Sequence, residues 1–168
     1  KIMEHLGDVV KLDGKLGSSN DQRFVHLNSA YLADGGFVYL PKGAALERPV
    51  HLLYLSSATH GPIASHPRTL IVLEEHSEAK VLETYLGVSG IYFTNAVTEV
   101  VLAKSAILEH TRFQDETTDS VHIGAIGIHQ AQDSIYTSNN ITFGSKIARN
   151  DVNVWLDGEH TETWLNGA

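Results

Sequence analysis

Ten histidines in a chain of 168 residues raise metal chemistry first. A metal-binding strand would carry His-x-His with a downstream acid, and a zinc helix would carry His-Glu-x-x-His. Neither pattern occurs. Glu-His pairs stand at Glu75-His76, Glu109-His110 and Glu159-His160, at or near expected turns, where they read as solvated turn residues. His122 and His129 flank an apolar strand and read as core-edge histidines bonded to backbone. His110, His122 and His129 are the residues to revisit as ligands if a metal centre binds.

Other chemistries are narrowed in the same way. There is no cysteine, which excludes a disulfide, a thiolate metal site and a cysteine nucleophile within this stretch. Gly14-Lys15 and Gly43 belong to no Gly-x-x-x-x-Gly-Lys-Ser/Thr sequence, so no P-loop cradles a nucleotide. There is no Gly-x-Ser-x-Gly elbow. Asp133, Asp151 and Asp157 are acids available for carbohydrate hydrolysis or lysis, with Arg112 or Arg149 as the basic partner. Arg149-Asn150-Asp151 otherwise reads as a charged turn, with Asn and Asp bonded to nearby backbone. Twelve basic against twenty acidic side chains give a net charge of −8, which argues against a nucleic-acid surface. No apolar run approaches the roughly 18 residues of a membrane span. No signal peptide is visible, and a cytoplasmic protein is expected. The chain reads as a fragment cut at both ends.

The elements that must position these residues are short and alternate with period two. Val152, Val154 and Leu156 point one way, and Asp151, Asn153 and Asp157 point the other. Ile135, Ile141 and Phe143 share a parity, as do Thr161, Thr163 and Leu165. Asp34-Gly35-Gly36 is a turn signal, followed by strands at 36–40 and 50–55 and a small-residue loop from Ser56 to His66. Phe24 to Leu32 carries an asparagine in an apolar setting, Leu27-Asn28-Ser29-Ala30, and reads as one helical turn or a strand edge. Residues 1–23 read as a connector or frayed start, with one short alternating piece from Val9 to Leu12.

Apolar runs then recur, each followed by a polar turn and a second strand. They end at Leu73, Leu102, Ile128 and Leu156, at intervals of 29, 26 and 28 residues, with Leu40 33 before Leu73. A fixed period in the twenties with two strands and no helix points to a solenoid of stacked β-coils. Val72, Val101, Ile126 and Val154 are the candidates for aligned core positions. An antiparallel sandwich also has short strands at close spacing, and periodicity alone leaves both architectures open.

His122-Ile123-Gly124, the Gly144 turn, Arg149-Asn150-Asp151-Val152-Asn153-Val154, Leu156-x-Gly158 and Leu165-Asn166-Gly167 resemble the β-helical core of the SufB/SufD family. Phe24-Val-His-Leu27-Asn28-Ser29-Ala30, Gly36-Phe37-Val38, Leu40-Pro41-Lys42-Gly43 and Pro49-Val50-His51-Leu52 resemble the lead-in to that core. The resemblance covers residues 24–168, and Leu108-Glu109-His110 with the lack of cysteine makes it more similar to SufD than to SufB. It implies an all-β, right-handed parallel β-helix with two strands per coil of about 27 residues. It implies a non-catalytic scaffold in iron–sulfur cluster assembly, beside a cysteine-bearing SufB-like subunit and an ATPase, SufC-like subunit. The cluster and ATP would be handled by those partners, with no cofactor and no catalytic or metal-binding residue in this chain. Self-association through exposed solenoid edges is expected as well. Two other functions stay in view: a polysaccharide lyase or hydrolase on a β-helix, and a histidine-rich metal-binding β-barrel.

Overall fold

The computed structural model describes residues 2–10 and 22–168. Two short helices, α1 (Ile2–His5) and α2 (Arg23–Ala30), precede eleven strands. The strands are β1 (Gly35–Leu40), β2 (Val50–Ser57), β3 (Ile63–Ser65), β4 (Arg68–Leu73), β5 (Glu78–Ser89), β6 (Tyr92–Leu102), β7 (Ile107–Glu116), β8 (Val121–Ala131), β9 (Ile135–Gly144), β10 (Ile147–Asp157) and β11 (Glu162–Gly167). One sheet runs β1-β4-β6-β8-β10, with β3 also on β6, and the other runs β11-β9-β7-β5-β2. Strand pairing is parallel throughout. Successive coils contribute one strand to each sheet, so the chain is a β-solenoid.

One corner repeats in every coil and explains the period. Gly43, His76, Ser105, Asp133 and His160 all take a left-handed backbone, with φ of 72°, 58°, 56°, 58° and 58°. Each redirects the chain from the first sheet to the second. The corners stack through backbone bonds: Gly43 N donates to Glu75 O, His76 N to Lys104 O, Ser105 N to Gln132 O and Asp133 N to Glu159 O, at 2.8–3.1 Å. Residues that tolerate φ > 0 therefore mark the period as surely as the apolar runs do.

Between the sheets, inward side chains lie over their counterparts one coil away. Val38, Ile71, Val100, Ile128 and Val154 form one continuous column, and Leu40, Leu73 and Leu102 form the next. Leu73 and Leu102 are followed in register not by Ile128 but by Gln130, and then by Leu156. Gln130 holds its place through bonds rather than apolar contact. Its Nε2 donates to Ser134 O and Glu162 O, and its Oε1 accepts from Thr163 Oγ1 at 2.6 Å.

Several expectations are corrected by this register. Val72 and Val101 stack on one another, but on the outer face, whereas Ile126 and Val154 face inward in different columns. In β9 the inward residues are Tyr136 and Ser138, both fully buried, so Ile135, Ile141 and Phe143 face out. Period two was read correctly there, but the polar parity is the inner one. Leu156 and Leu165 are exposed, because β10 and β11 are the last strands of their sheets. The loop from Ser56 to His66 holds the end of β2 and all of β3. Arg149-Asn150-Asp151 lies within β10 and not at a turn.

Phe24 to Leu32 is neither a single turn nor a strand edge but carries the two-turn helix α2. Eight residues are too few to hold a helix unaided, and α2 packs on the outer face of the first sheet, where Phe24 meets Phe93 edge-on at 6.4 Å. Of the alternating piece from Val9 to Leu12, Val9 is buried, and Lys11 and Leu12 lie outside the described residues, as do Gly14, Lys15 and Gly17.

Val154 packs against the core on the inner face and Asn153 is exposed beside it. Val154→Asp should cost about 2–5 kcal/mol, since an unpaired carboxylate is forced between the sheets. Asn153→Asp should stay within about 0.5 kcal/mol. Urea or thermal melts of the two variants check this, and equal midpoints would mean the faces are reversed.

Candidate functional site

Near the corner the interior is apolar; toward the other end of the strands it is ionic. The register sets Glu83 of β5 beside Arg112 of β7, both facing inward, and they are 0% and 4% exposed. Arg112 Nε lies 3.4 Å from Glu83 Oε2. His110 Nε2 donates to the same oxygen at 3.2 Å, and Thr98 Oγ1 donates from the opposite sheet at 3.0 Å. On its other side, His110 Nδ1 shares a hydrogen bond with the Tyr136 hydroxyl at 3.0 Å. Arg112 stacks over the Tyr85 ring, 5.1 Å from its centroid, and its Nη1 donates to Asn150 Oδ1 at 3.3 Å.

The seam continues through Arg112 Nη2, which donates to His122 Nε2 at 3.4 Å. His122 Nδ1 then donates to Glu116 Oε2 at 2.9 Å, which fixes a neutral Nδ1–H tautomer. Glu116 also accepts from Thr94 Oγ1 at 3.0 Å and from Ser145 Oγ at 3.2 Å. Hydrogen bonds, with one ion pair between Glu83 and Arg112, thus link Tyr136, His110, Glu83, Arg112, His122, Glu116 and Thr94. Gly124 leaves space for it: a Cβ there would press on Asn150 Oδ1 and come within 3.0 Å of both Arg112 terminal nitrogens. Gln114 and Asn140, each with an amide oxygen lacking a protein partner, line a cavity of about 10 Å³ beside Arg112, room for a single water.

These contacts set the charge states. Burial alone would push the Glu83 carboxyl up, but the His110 hydrogen bond and the charges of His110 and Arg112 outweigh it and bring it down to about 2. Burial lowers the His122 imidazole below its ordinary 6.5; the Glu116 hydrogen bond opposes that shift and the Arg112 charge adds to it. Burial raises Tyr85 well above the ordinary phenol range and raises Tyr136 as well.

A second buried ion pair lies on the outer face and fastens the N-terminal segment. Glu99 accepts from Arg68 Nε at 2.9 Å and Nη2 at 2.6 Å, and from the backbone N–H groups of Gly7 and Val9 at 2.9 and 3.2 Å. Arg68 Nη1 reaches Asn28 Oδ1 at 3.0 Å, while Asn28 Nδ2 donates to Pro67 O and Asn95 O. The asparagine that stood out in an apolar sequence is therefore the pin of α2.

The residues singled out in the sequence are dispersed. Glu109-His110 is not at a turn: His110 belongs to the seam, whereas Glu109 points out and pairs with Lys80 at 2.9 Å. His76 and His160 do sit at corners. His122 is buried on a carboxylate side chain rather than on backbone. His129 is partly exposed and bonded to Asp157 at 3.1 Å. Asp133 pairs with Lys104 and His160, Asp151 with Arg149, and Arg112 is inside the coil. The acids and bases proposed for carbohydrate chemistry do not converge. Among the described residues no three His, Asp or Glu side chains gather as a metal ion would require. Glu83, Glu99 and Glu116 were missed; Glu83 and Arg112 are 29 apart at matching inward positions, the available signal.

The family model for the SUF system FeS cluster assembly SufBD core domain matches residues 54–168. An iron–sulfur cluster assembly SufBD family protein of Synechocystis sp. is 31% identical over 164 residues, 91% of this chain and 36% of that protein. The iron–sulfur cluster assembly protein SufD of Bacillus subtilis is 24% identical over 168 residues, 95% of this chain and 38% of that protein. SufB of the same organism is 29% identical over 99 residues, 56% of this chain and 20% of that protein. A chain whose stacked coils carry that core over most of its length belongs to the SufBD family of iron–sulfur cluster assembly proteins. It spans little more than a third of the length of the first two relatives.

Breaking the Glu83–Arg112 pair should be expensive. Arg112→Met should destabilise by about 3–5 kcal/mol, and Glu83→Gln/Arg112→Met should cost less than the sum of the two single variants. Additive denaturant midpoints would mean that the two side chains do not interact.

His122 predicts a pH dependence. The unfolded chain protonates this residue near 6.5, the folded chain only at lower pH. The resulting stabilisation is present above 6.5 and is lost as pH falls through the lowered folded value. Melting temperature should fall between about pH 7 and 5, and His122→Gln, which can keep both hydrogen bonds, should flatten that fall. Identical profiles for variant and parent would contradict the assignment.

Proposed function

We propose that this chain is a non-catalytic scaffold subunit of a SufBCD-type assembly, working beside a cysteine-bearing SufB-like subunit and a SufC-like ATPase. The observation that carries the reading is the core-domain match laid over a rigid solenoid whose interior acids and bases are spent on one another. Glu83 and Glu116 each accept several hydrogen bonds, which suits holding the coils in register rather than accepting a substrate proton. The chain has no cysteine, and a stable iron–sulfur cluster normally takes thiolate ligands. In this reading the cluster is cargo, carried on thiolates of the partner, and ATP is used by the ATPase subunit. Self-association through free strand edges and a cytoplasmic location belong to the same proposal. No helix among the described residues is long and apolar enough to cross a membrane.

Full-length protein co-expressed with candidate SufB-like and SufC-like subunits should purify as one complex. Anaerobic reconstitution with iron and sulfide should leave a cluster on the complex after desalting and none on this subunit alone. Failure to co-purify would remove the partner assignment. One cluster per chain retained by the lone subunit would overturn the scaffold reading.

A further inference from the structure

At the end of the solenoid formed by β1 and β2 lies a cleft of about 420 Å³. Among the described residues, both of its walls are strand edges with no partner strand on that side. One is Leu53 to Ser56 of β2, the outermost strand of its sheet. The other is Ala64 to Pro67, where β3 pairs only with β6 and the neighbouring β1 begins its pairing later, at Arg68. Such edges present unpaired N–H and C=O groups that an extended chain can complete. Leu53 and Leu55 stand 54% and 62% exposed along the first wall, a purchase for apolar side chains.

The cleft is also built to receive a cation. Tyr31, 65% exposed, stacks on His66 with ring centroids 5.3 Å apart and planes at 25°, leaving its other face open. Tyr54 lines the floor, backed by Tyr85 at 4.9 Å and bonded through its hydroxyl to Thr69 at 2.7 Å. Among the described residues that line the cleft, Asp34 is the only ionised side chain, since burial holds His66 below its ordinary 6.5. Beneath the floor, Thr94 Oγ1 donates to the buried Glu116 carboxylate. Two aromatic surfaces, a carboxylate at the rim and no lining cation form a complement to a guanidinium group. The net charge of −8 draws the same kind of partner.

We propose that this cleft takes an extended, arginine-bearing segment of a partner protein by strand addition, with the arginine laid on Tyr31 and paired to Asp34. The inference does not depend on the scaffold reading, because it rests on the cleft's own residues and is tested by peptide binding alone.

The probe is the peptide fluorescein-β-alanyl-Val-Thr-Arg-Val-Thr-amide, titrated into the full-length chain by anisotropy. Amide NMR shifts at residues 53–56 report strand addition. Saturable binding is expected, weakened about tenfold when citrulline replaces arginine. Asp34→Asn and Tyr31→Leu should each weaken it about threefold or more while leaving the melting temperature unchanged, since both side chains are exposed. Equal affinity for the citrulline peptide would overturn the cation site with no variant needed. Free N-acetyl-arginine amide competing as well as the peptide would overturn strand addition, and no binding by the arginine peptide would overturn both.

Discussion

Stacking parallel strands in register forces each inward side chain to lie over its counterpart in the next coil. The rest of the structure follows from that constraint. Where the columns are aliphatic, as from Val38 through Val100 to Val154, stacking is continuous burial and each added coil extends the same core. Where a column holds a carboxylate, the constraint becomes a demand. Glu83 has no exposed surface, so its neighbours in register and across the gap must compensate it: His110 and Thr98 supply donors and Arg112 supplies the opposite charge. A slip of one residue would turn Arg112 outward and leave Glu83 unpaired, so the seam penalises misregister more steeply than aliphatic columns alone can.

The same economy holds on the outer face. Glu99 and Arg68 are paired, but the pair is complete only when Gly7, Val9 and Asn28 close over it. The N-terminal segment and α2 are thereby tied to the middle of the first sheet. Two buried ion pairs, one inside the coils and one beneath the N-terminal segment, thus add to the backbone ladders that stack the coils.

Much of this fold was legible in the residues, and the misses have physical causes. Leu73 and Leu102 marked the true column because an apolar residue can hold that position by burial alone. The next member is Gln130, which holds it by hydrogen bonds to Ser134, Glu162 and Thr163, so an apolar reading slid to Ile128. The outward parity of β9 was mistaken for the core because its inner face, Tyr136 and Ser138, is the polar one. Arg149-Asn150-Asp151 read as a turn because all three are polar, yet Asn150 faces inward to Arg112 while Arg149 and Asp151 pair with each other on the outer face. The family resemblance rested on short motifs, three of which hold the seam residues His110, His122 and Asn150, but it gave them no role. The seam as a network was not legible, since a buried Glu and Arg in a sequence look like surface residues until the register brings them together.

The account rests on Glu83 being ionised and paired inside the coils. The direct measurement is a ¹³C NMR titration of its side-chain carboxyl, assigned through Glu83→Gln. The account predicts a midpoint near 2, far below the ordinary 4.5. A midpoint at or above 4.5 would mean that burial prevails over Arg112 and His110, and that the seam does not hold the coils together.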